Sequence, residues 1–162
     1  MPDAASTPAP TICLRNVCAD DLPTLFEFQL DPDANAMAAL IPRSRDAFFE
    51  VWAGVIVDPN VVAKVIVLGD QVVGQISRFD AGGLPSIGYW IAKDYWGRGV
   101  ASRALALLLA ELAERPLHAR VAAGNAASLR ILLKHGFKIT SRQFSPGDDR
   151  HLPCEEINLI LR

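Results

Sequence analysis

The sequence has few of the residues that would indicate a metalloprotein, a disulfide-stabilised secreted protein or a nucleic-acid-binding protein. It contains three cysteines and three histidines, and Cys13, Cys18 and Cys154 have neither metal-ligand nor redox spacing. An odd number of cysteines without such spacing favours reduced thiols and a cytoplasmic location. The formal net charge is −2, so no broad cationic surface favours nucleic acid or an anionic membrane as a partner. We predict no metal site.

The chain also lacks an apolar run long enough to span a bilayer. The first residues, MPDAASTPAP, have neither the basic start nor the apolar middle of a secretory signal. We expect a disordered tail over residues 1–10 and a single soluble domain over residues 11–162. With 51% hydrophobic residues in a chain of 162, that domain is long enough to bury a sizeable core.

In the first half of the chain, a strand and two helices precede a group of three strands. Helical spacing of apolar residues predicts one helix around Leu25 and a second one that Ser44 caps, with a loop or short helical turn (DPDANAMAALIP) between them. Gly69-Asp70 separates two β-branched runs and predicts a hairpin. The predicted strands are ICLRNV, VVAKVIVL, QVVGQISRF and SIGYWIA.

The second half alternates helix and strand. A long apolar helix with leucines at helical spacing follows the fourth strand, and we expect Pro116 to close it. A fifth strand covers residues 117–123, and a helix over residues 125–135 has Asn125 as its cap and Gly136 just past its end. Two final strands near 137–144 and 153–161 complete an α/β (α+β) domain of about seven strands and about four helices.

The stretch DYWGRGVAS joins the fourth strand to the long helix. A helix amino terminus leaves backbone N–H groups without partners and has a partial positive charge, so it attracts phosphate. Gly97 and Gly99 lack a Cβ, which lets a diphosphate approach these amides, and Arg98 and Arg103 would add charge at the mouth. The alternative is that the two glycines only make a tight connection. No Gly-x-Gly-x-x-Gly or Walker lysine is present.

Two longer stretches, IGYWIAKDYWGRGVASRAL and ARVAAGNAASLRILLKHGFK, resemble the acyl-CoA motif of the GNAT superfamily of N-acetyltransferases, especially the ribosomal-protein N-terminal acetyltransferase branch. The resemblance implies a mixed, mostly antiparallel twisted sheet that splays open between strands four and five, with acetyl-CoA in the cleft. It places the pantetheine arm on the backbone of Tyr89, Trp90 and Ile91. Asn125 matches an asparagine that contacts the cofactor arm, although a plain helix cap is an equal alternative. The diphosphate would lie on Gly97, Arg98, Gly99, Val100, Ala101 and Ser102.

The chemistry that the resemblance implies is direct attack of a primary amine on the thioester. We expect the backbone N–H of Ile91 to stabilise the oxyanion. Many members have a tyrosine seven residues after the asparagine, where this chain has Leu132, so Ser128 is the nearest candidate proton donor on that helix. Ser128 could equally help to cap the helix. No general base is evident, and Glu27, Glu50, Asp80 and water are weak candidates.

The acceptor site is expected under the two amino-terminal helices and the loop from Phe144 to Pro153. Aromatic residues on the second helix belong either to the core or to this pocket, and Arg43 and Arg45 are either solvated or near its entrance. Arg130 and Lys134, four residues apart, are either solvated or near the adenosine phosphates. The aromatic residues are Phe48, Phe49 and Trp52.

We therefore predict an acetyl-CoA-dependent N-acetyltransferase that acts on a protein amino terminus or a small amine, as a monomer or homodimer. A non-catalytic acyl-CoA-binding or regulatory module is the main alternative, because Leu132 replaces the tyrosine and no base is evident. A nucleotide-phosphate binder that uses the same turn is a third possibility.

Overall fold

A computed structural model of the chain describes residues 10–162 and shows seven strands and five α-helices in them. Residues 1–9, which make up nearly all of the predicted tail, lie outside the described residues. The strands are β1 (Ile12–Asn16), β2 (Val62–Leu68), β3 (Gln71–Ala81), β4 (Leu84–Ile91), β5 (Leu117–Ala122), β6 (Lys138–Ser145) and β7 (Cys154–Leu161). The helices are α1 (Leu22–Phe28), α2 (Pro32–Ala38), α3 (Arg45–Val57), α4 (Val100–Glu111) and α5 (Ala126–Lys134).

All seven strands form one mixed sheet in the order β1-β2-β3-β4-β5-β7-β6. Every neighbouring pair is antiparallel except β4 and β5, which are parallel and meet at a single residue pair, Ser86 and His118. Beyond that pair the two strands diverge, and the carboxyl end of β4 is left without a strand on its β5 side. The predicted mixed sheet, splayed between strands four and five, is confirmed.

Two hydrophobic clusters cover opposite faces of the sheet. Val65 and Ile66 are adjacent on β2 and are both fully buried, so their side chains point to opposite faces. Ile66 belongs to the cluster formed with α4 and α5, and Val65 to the cluster formed with α1 and α3. Leu105 and Leu108 of α4 are 0% exposed, as the helical spacing of the leucines predicts.

The turns follow the local sequence signals. Gly69 has φ +65° in the two-residue loop between β2 and β3. At the end of α5 the N–H of Phe137 donates to the carbonyl of Leu132 (3.1 Å) and that of Gly136 to Leu133 (3.1 Å), which is a Schellman motif. Leu132 and Phe137 are both 2% exposed and form its hydrophobic contact.

Two expectations about helices are corrected. The segment expected to be a loop or short helical turn contains the helix α2, because the Asp31 carboxylate caps it and Pro32 fits the first helical position. The helix expected to continue to Pro116 ends at Glu111, because Leu112 has extended backbone angles (φ −95°, ψ 115°). Four residues of the chain thus separate α4 from Pro116, and the helix count rises to five.

No helix of the described part of the chain combines the length and the apolar character needed to cross a membrane.

The Asp21 carboxylate links β1 to the start of α1. It accepts two hydrogen bonds from the Arg15 guanidinium (2.7 and 2.8 Å) and one from the Cys18 backbone N–H (2.9 Å). The hydrogen bond from Arg15 is the main reason why the pKa of Asp21 falls to about 2. Stabilisation by this carboxylate is therefore present above about pH 4 and is lost as the pH falls towards about 2.

We expect the Asp21→Asn substitution to lower the free energy of unfolding at neutral pH by roughly 1 to 2 kcal/mol, a modest loss because Arg15 is half exposed. The gap between wild type and variant should narrow as the pH falls below about 4. Urea denaturation at a series of pH values measures it. Asp20→Asn, at the exposed neighbour, serves as the control. A gap that stays constant down to pH 3 would contradict this account.

Candidate active site

The cleft opens beside the last residues of β4. The Ala92 N–H donates to the carbonyl of Val73 (2.8 Å), on the β3 side. The backbone N–H and carbonyl groups of successive residues in a strand point to opposite edges of that strand. Since the Ala92 N–H points towards β3, the N–H and carbonyl of Ile91 point towards β5, which has already diverged from β4 at this position. The Trp96 indole N–H donates to that carbonyl (2.9 Å). The Ile91 N–H therefore faces the cleft, where sequence reasoning expected it.

The turn before α4 brings backbone amides to the mouth of the cleft. Gly97 (φ +74°) and Gly99 (φ +73°) are both in the left-handed region, which glycine adopts without strain. A Cβ at either position would meet open space, so backbone conformation rather than crowding calls for glycine here. The Arg103 N–H bonds the Gly99 carbonyl (3.1 Å), while the N–H groups of Val100, Ala101 and Ser102 precede the first intrahelical bond.

A first cavity of about 390 Å³ lies between this turn, α2 and α5. Its lining contains most of the residues predicted to bind the cofactor, and no Asp or Glu of the described residues belongs to it. The amino terminus of α4 and the side chains of Arg130 and Lys134 contribute positive charge. The cavity therefore suits an anionic ligand. The lining includes Tyr89, Trp90, Ile91, Gly97, Gly99, Val100, Ala101, Ser102, Asn125, Ser128, Arg130 and Lys134.

The basic side chains at this cavity differ from those that the sequence indicated. Arg98 is not among the lining residues, and its guanidinium lies over the ring of Tyr95 (5.3 Å), which is one of them. Arg103 donates to the carbonyl of Arg98 (3.2 Å) and thus supports the turn. Arg130 and Lys134, whose spacing left a solvated face as an alternative, both line the cavity. Their four-residue spacing, which puts both side chains on one face of α5, is the sequence pattern that indicated a shared position near the cofactor.

The Ser102 hydroxyl, in the first turn of α4, contacts two side chains at the end of α5. It lies 2.9 Å from His135 Nε2 and accepts from Lys134 Nζ at 3.4 Å. Burial, and then the nearby Lys134 charge, lower the pKa of His135. His135 is thus neutral near pH 7 and positions Ser102 without adding charge.

The contacts of Asn125 and Ser128 show which of their groups cap α5, a point that the sequence alone left open. The Asn125 side chain accepts the backbone N–H of Ser128 (3.3 Å), so the helix cap uses the Ser128 backbone and not its hydroxyl. That hydroxyl lies 2.8 Å from the Tyr89 phenol oxygen. Burial raises the pKa of Tyr89 above its ordinary value. A phenol therefore reaches this site from β4, a contact that sequence reasoning missed because the two residues are far apart in sequence.

A second cavity of about 450 Å³ lies between α1, α3 and the β6–β7 loop, where the sequence predicts the acceptor. Tyr89 and Trp90 line both cavities and form the boundary between them. Phe48 and Trp52 line the second cavity and also pack in the core, so both alternatives hold for them. Arg45 lies over the Phe49 ring (4.8 Å) and does not line the cavity, unlike Arg43.

In the described part of the chain no carboxylate lines the second cavity either, and the weak candidate bases Glu27, Glu50 and Asp80 line neither cavity. The Asp80 carboxylate instead pairs with Arg78 at 3.1 Å. Within residues 10–162 no three His, Cys, Asp or Glu side chains are grouped so that they could hold a metal ion.

Residues 11–138 match the family model of the acetyltransferase (GNAT) domain. The chain belongs to the GNAT acetyltransferase family. The superfamily predicted from the two glycine-rich and asparagine-containing stretches is confirmed. No curated protein sequence matches the chain significantly.

Several solved structures resemble the chain in fold over most of its length. A Salmonella typhimurium acetyltransferase that modifies the N-terminal serine of ribosomal protein L7/L12 is 18% identical, with 94% of each chain covered and a TM-score of 0.77. Mycobacterium smegmatis RimJ with CoA-disulfide is 21% identical, with 93% of this chain and 81% of that chain covered and a TM-score of 0.73. A chimera of Vibrio cholerae spermidine N-acetyltransferase SpeG and hSSAT is 17% identical, with 93% and 94% covered and a TM-score of 0.76.

Proposed function

We propose that this GNAT protein transfers the acetyl group of acetyl-CoA to a primary amine, with acetyl-CoA in the first cavity and the amine in the second. The observation that carries this proposal is that the two cavities meet at Tyr89 and Trp90, beside the open edge of β4. A ligand in each cavity would therefore bring its reactive end to the same wall. A single-ligand binding module does not need the second cavity.

The first cavity has the features that a CoA molecule requires. The amides of Val100, Ala101 and Ser102 would bind the diphosphate, and Arg130 and Lys134 would supply positive charge to the adenosine phosphates. The pantetheine arm would follow the backbone edge from Tyr89 to Ile91, with Trp90 between them and Asn125 opposite, as an added strand does. Arg98 would contribute through its backbone, because its guanidinium lies over Tyr95. Glycine at 97 and 99 permits the turn.

The reaction would form a bond from the amine nitrogen to the acetyl carbonyl carbon and break the bond from that carbon to sulfur. The Ile91 N–H would stabilise the negative charge on the carbonyl oxygen. The departing thiolate would take a proton from the Ser128 hydroxyl, and the Tyr89 phenol would reprotonate Ser128 across their 2.8 Å hydrogen bond. Water would then return a proton to Tyr89. The proton of the attacking amine would pass to water, because no carboxylate from residues 10–162 lines either cavity.

With this proton route, the pH dependence of kcat/KM follows the ionisation of the acceptor amine. Only the uncharged amine attacks, so kcat/KM should rise with pH through the amine's own pKa, about 7.7 to 8.0 for an α-amine and about 10.4 for a lysine-like amine. Because the pKa of Tyr89 is raised, the phenol stays protonated and no fall should appear below about pH 10. Initial rates with the two kinds of acceptor measure this. A plateau already reached near pH 6 with both would reveal a base on the enzyme instead.

Incubation with acetyl-CoA and a panel of amino-terminal peptides and small amines tests the proposed function. Free thiol should appear in step with the acetylated amine, detected by mass spectrometry. A non-catalytic acyl-CoA module would bind CoA and release no thiol with any acceptor. A nucleotide-phosphate binder would gain more thermal stability from ATP than from CoA.

A further inference from the structure

Two arginines give the second cavity an unbalanced charge. Among residues 10–162, Arg43 and Arg150 are the only charged residues that line it, and both are partly buried. The remaining lining is apolar or neutral and includes Gln29, Gln75 and Ser77. A cleft with charges of one sign and low-dielectric walls concentrates ligands of the opposite sign.

Both arginines are fixed at their backbones. The Gln29 side chain donates to the Arg43 carbonyl (2.9 Å) and accepts the Arg43 N–H (3.2 Å). The Ile41 N–H donates to the Arg150 carbonyl (2.8 Å), and the Arg150 guanidinium donates to the Ile41 carbonyl. Since Ile41 is two residues before Arg43, these contacts join the β6–β7 loop to the α2–α3 connection and place both arginines at one wall of the cavity.

No carboxylate of the described residues lies within 4.0 Å of either guanidinium. Asp148, the nearest acidic residue in sequence to Arg150, accepts the backbone N–H groups of Arg150 (2.7 Å) and His151 (2.8 Å) instead. Burial, and then repulsion from Arg43, lower the pKa of Arg150. A pair of like charges in a half-buried wall is unfavourable unless an anion neutralises it.

We infer that the amine acceptor carries an anionic group, a carboxylate or a phosphate, which binds between Arg43 and Arg150 while the amine faces Tyr89. This inference rests on the proposed function and narrows its substrate class. Charge-assisted bonds from guanidinium groups suit both anions. Polyamines, whose further charges are positive, would be repelled by the same wall.

Acceptors of similar length but different charge test the inference. The first arm compares an amidated peptide that begins Ala-Glu-Glu with one that begins Ala-Gln-Gln. The second arm compares phosphoethanolamine and β-alanine with ethanolamine, and spermidine is the cationic acceptor. Wild type should favour the anionic member of a pair by about tenfold or more in kcat/KM. Preference for the acidic peptide would indicate a protein amino terminus, and preference for the small anions a metabolite.

Arginine variants locate the preference. In Arg43→Gln and Arg150→Gln, singly and together, the ratio of kcat/KM between anionic and neutral acceptors should fall towards one. Arg142→Gln removes an exposed arginine of β6 that lines neither cavity and should keep the wild-type ratio. Arg43→Gln is the milder variant, because the Gln29 contacts involve only the Arg43 backbone.

Three results would overturn the inference. Equal or faster acetylation of the neutral peptide or of spermidine would refute the anionic acceptor and leave the acetyltransferase proposal intact. If CoA binds but no acceptor is acetylated, the proposed function fails and this inference fails with it. A charge preference that persists in the double arginine variant would also count against it.

Discussion

Replacing Gly99 with valine is expected to weaken CoA binding by about a hundredfold while the fold survives. Gly99 has φ +73°, a conformation that costs a residue with a Cβ roughly 1 to 2 kcal/mol, and more when the side chain is β-branched. The turn relieves this strain by changing its backbone angles, which turns the amides at the start of α4 away from the diphosphate. Each charge-assisted hydrogen bond that is lost is worth about 1.5 to 3 kcal/mol.

Isothermal titration calorimetry with CoA measures this loss, and Gly54→Val is the matched control. Gly54 lies in the exposed part of α3, where a Cβ also meets open space but φ is not positive. Valine at position 54 should therefore leave CoA affinity unchanged. Wild-type affinity in Gly99→Val would mean that the phosphates do not bind at this turn.

The Ser128→Ala substitution is expected to lower kcat by about a hundredfold, near the lower end of the range for losing a general acid. The loss stays moderate because a thiol with a pKa near 8.5 leaves tolerably as thiolate. Tyr89→Phe should cost about tenfold, since the serine hydroxyl remains and water can replenish its proton. Because the two hydroxyls form one 2.8 Å pair, the double variant should be little slower than Ser128→Ala.

Two measurements separate this proton transfer from a structural effect. The helix cap uses the Ser128 N–H and not its hydroxyl, so CoA affinity and thermal stability should hardly change in Ser128→Ala. Ser141→Ala removes a serine hydroxyl on β6 far from the cavities and should retain full activity. Multiplied effects in the double variant would show that the two hydroxyls act independently.

Local signals were sufficient for much of the fold. The hairpin at Gly69-Asp70, the caps at Ser44 and Asn125 and the Schellman ending at Gly136 each depend on residues a few positions apart, so sequence alone predicts them. The glycine-rich turn is equally local. The helix α2 also has local signals, Asp31 as its cap and Pro32 at its first position, which favour the short helical turn over the loop among the two alternatives for this segment.

Long-range contacts were out of reach of the same reasoning. Tyr89 meets Ser128 only because β4 and the start of α5 face one cleft, and Arg150 joins Arg43 only because the β6–β7 loop packs on Ile41. The contact of the Arg98 guanidinium with the Tyr95 ring is likewise not indicated by the position of Arg98 between two glycines. Glu114 lies beyond the end of α4 and pairs with Arg78 of β3 (2.7 Å), a contact that the local sequence does not indicate.

A crystal structure of the protein with bound CoA tests the central claim most directly. The account predicts the diphosphate within hydrogen-bonding distance of the backbone nitrogens of Val100 to Ser102, and the sulfur beside Ser128 at the boundary of the two cavities. CoA bound elsewhere, with those amides still facing solvent, would contradict it.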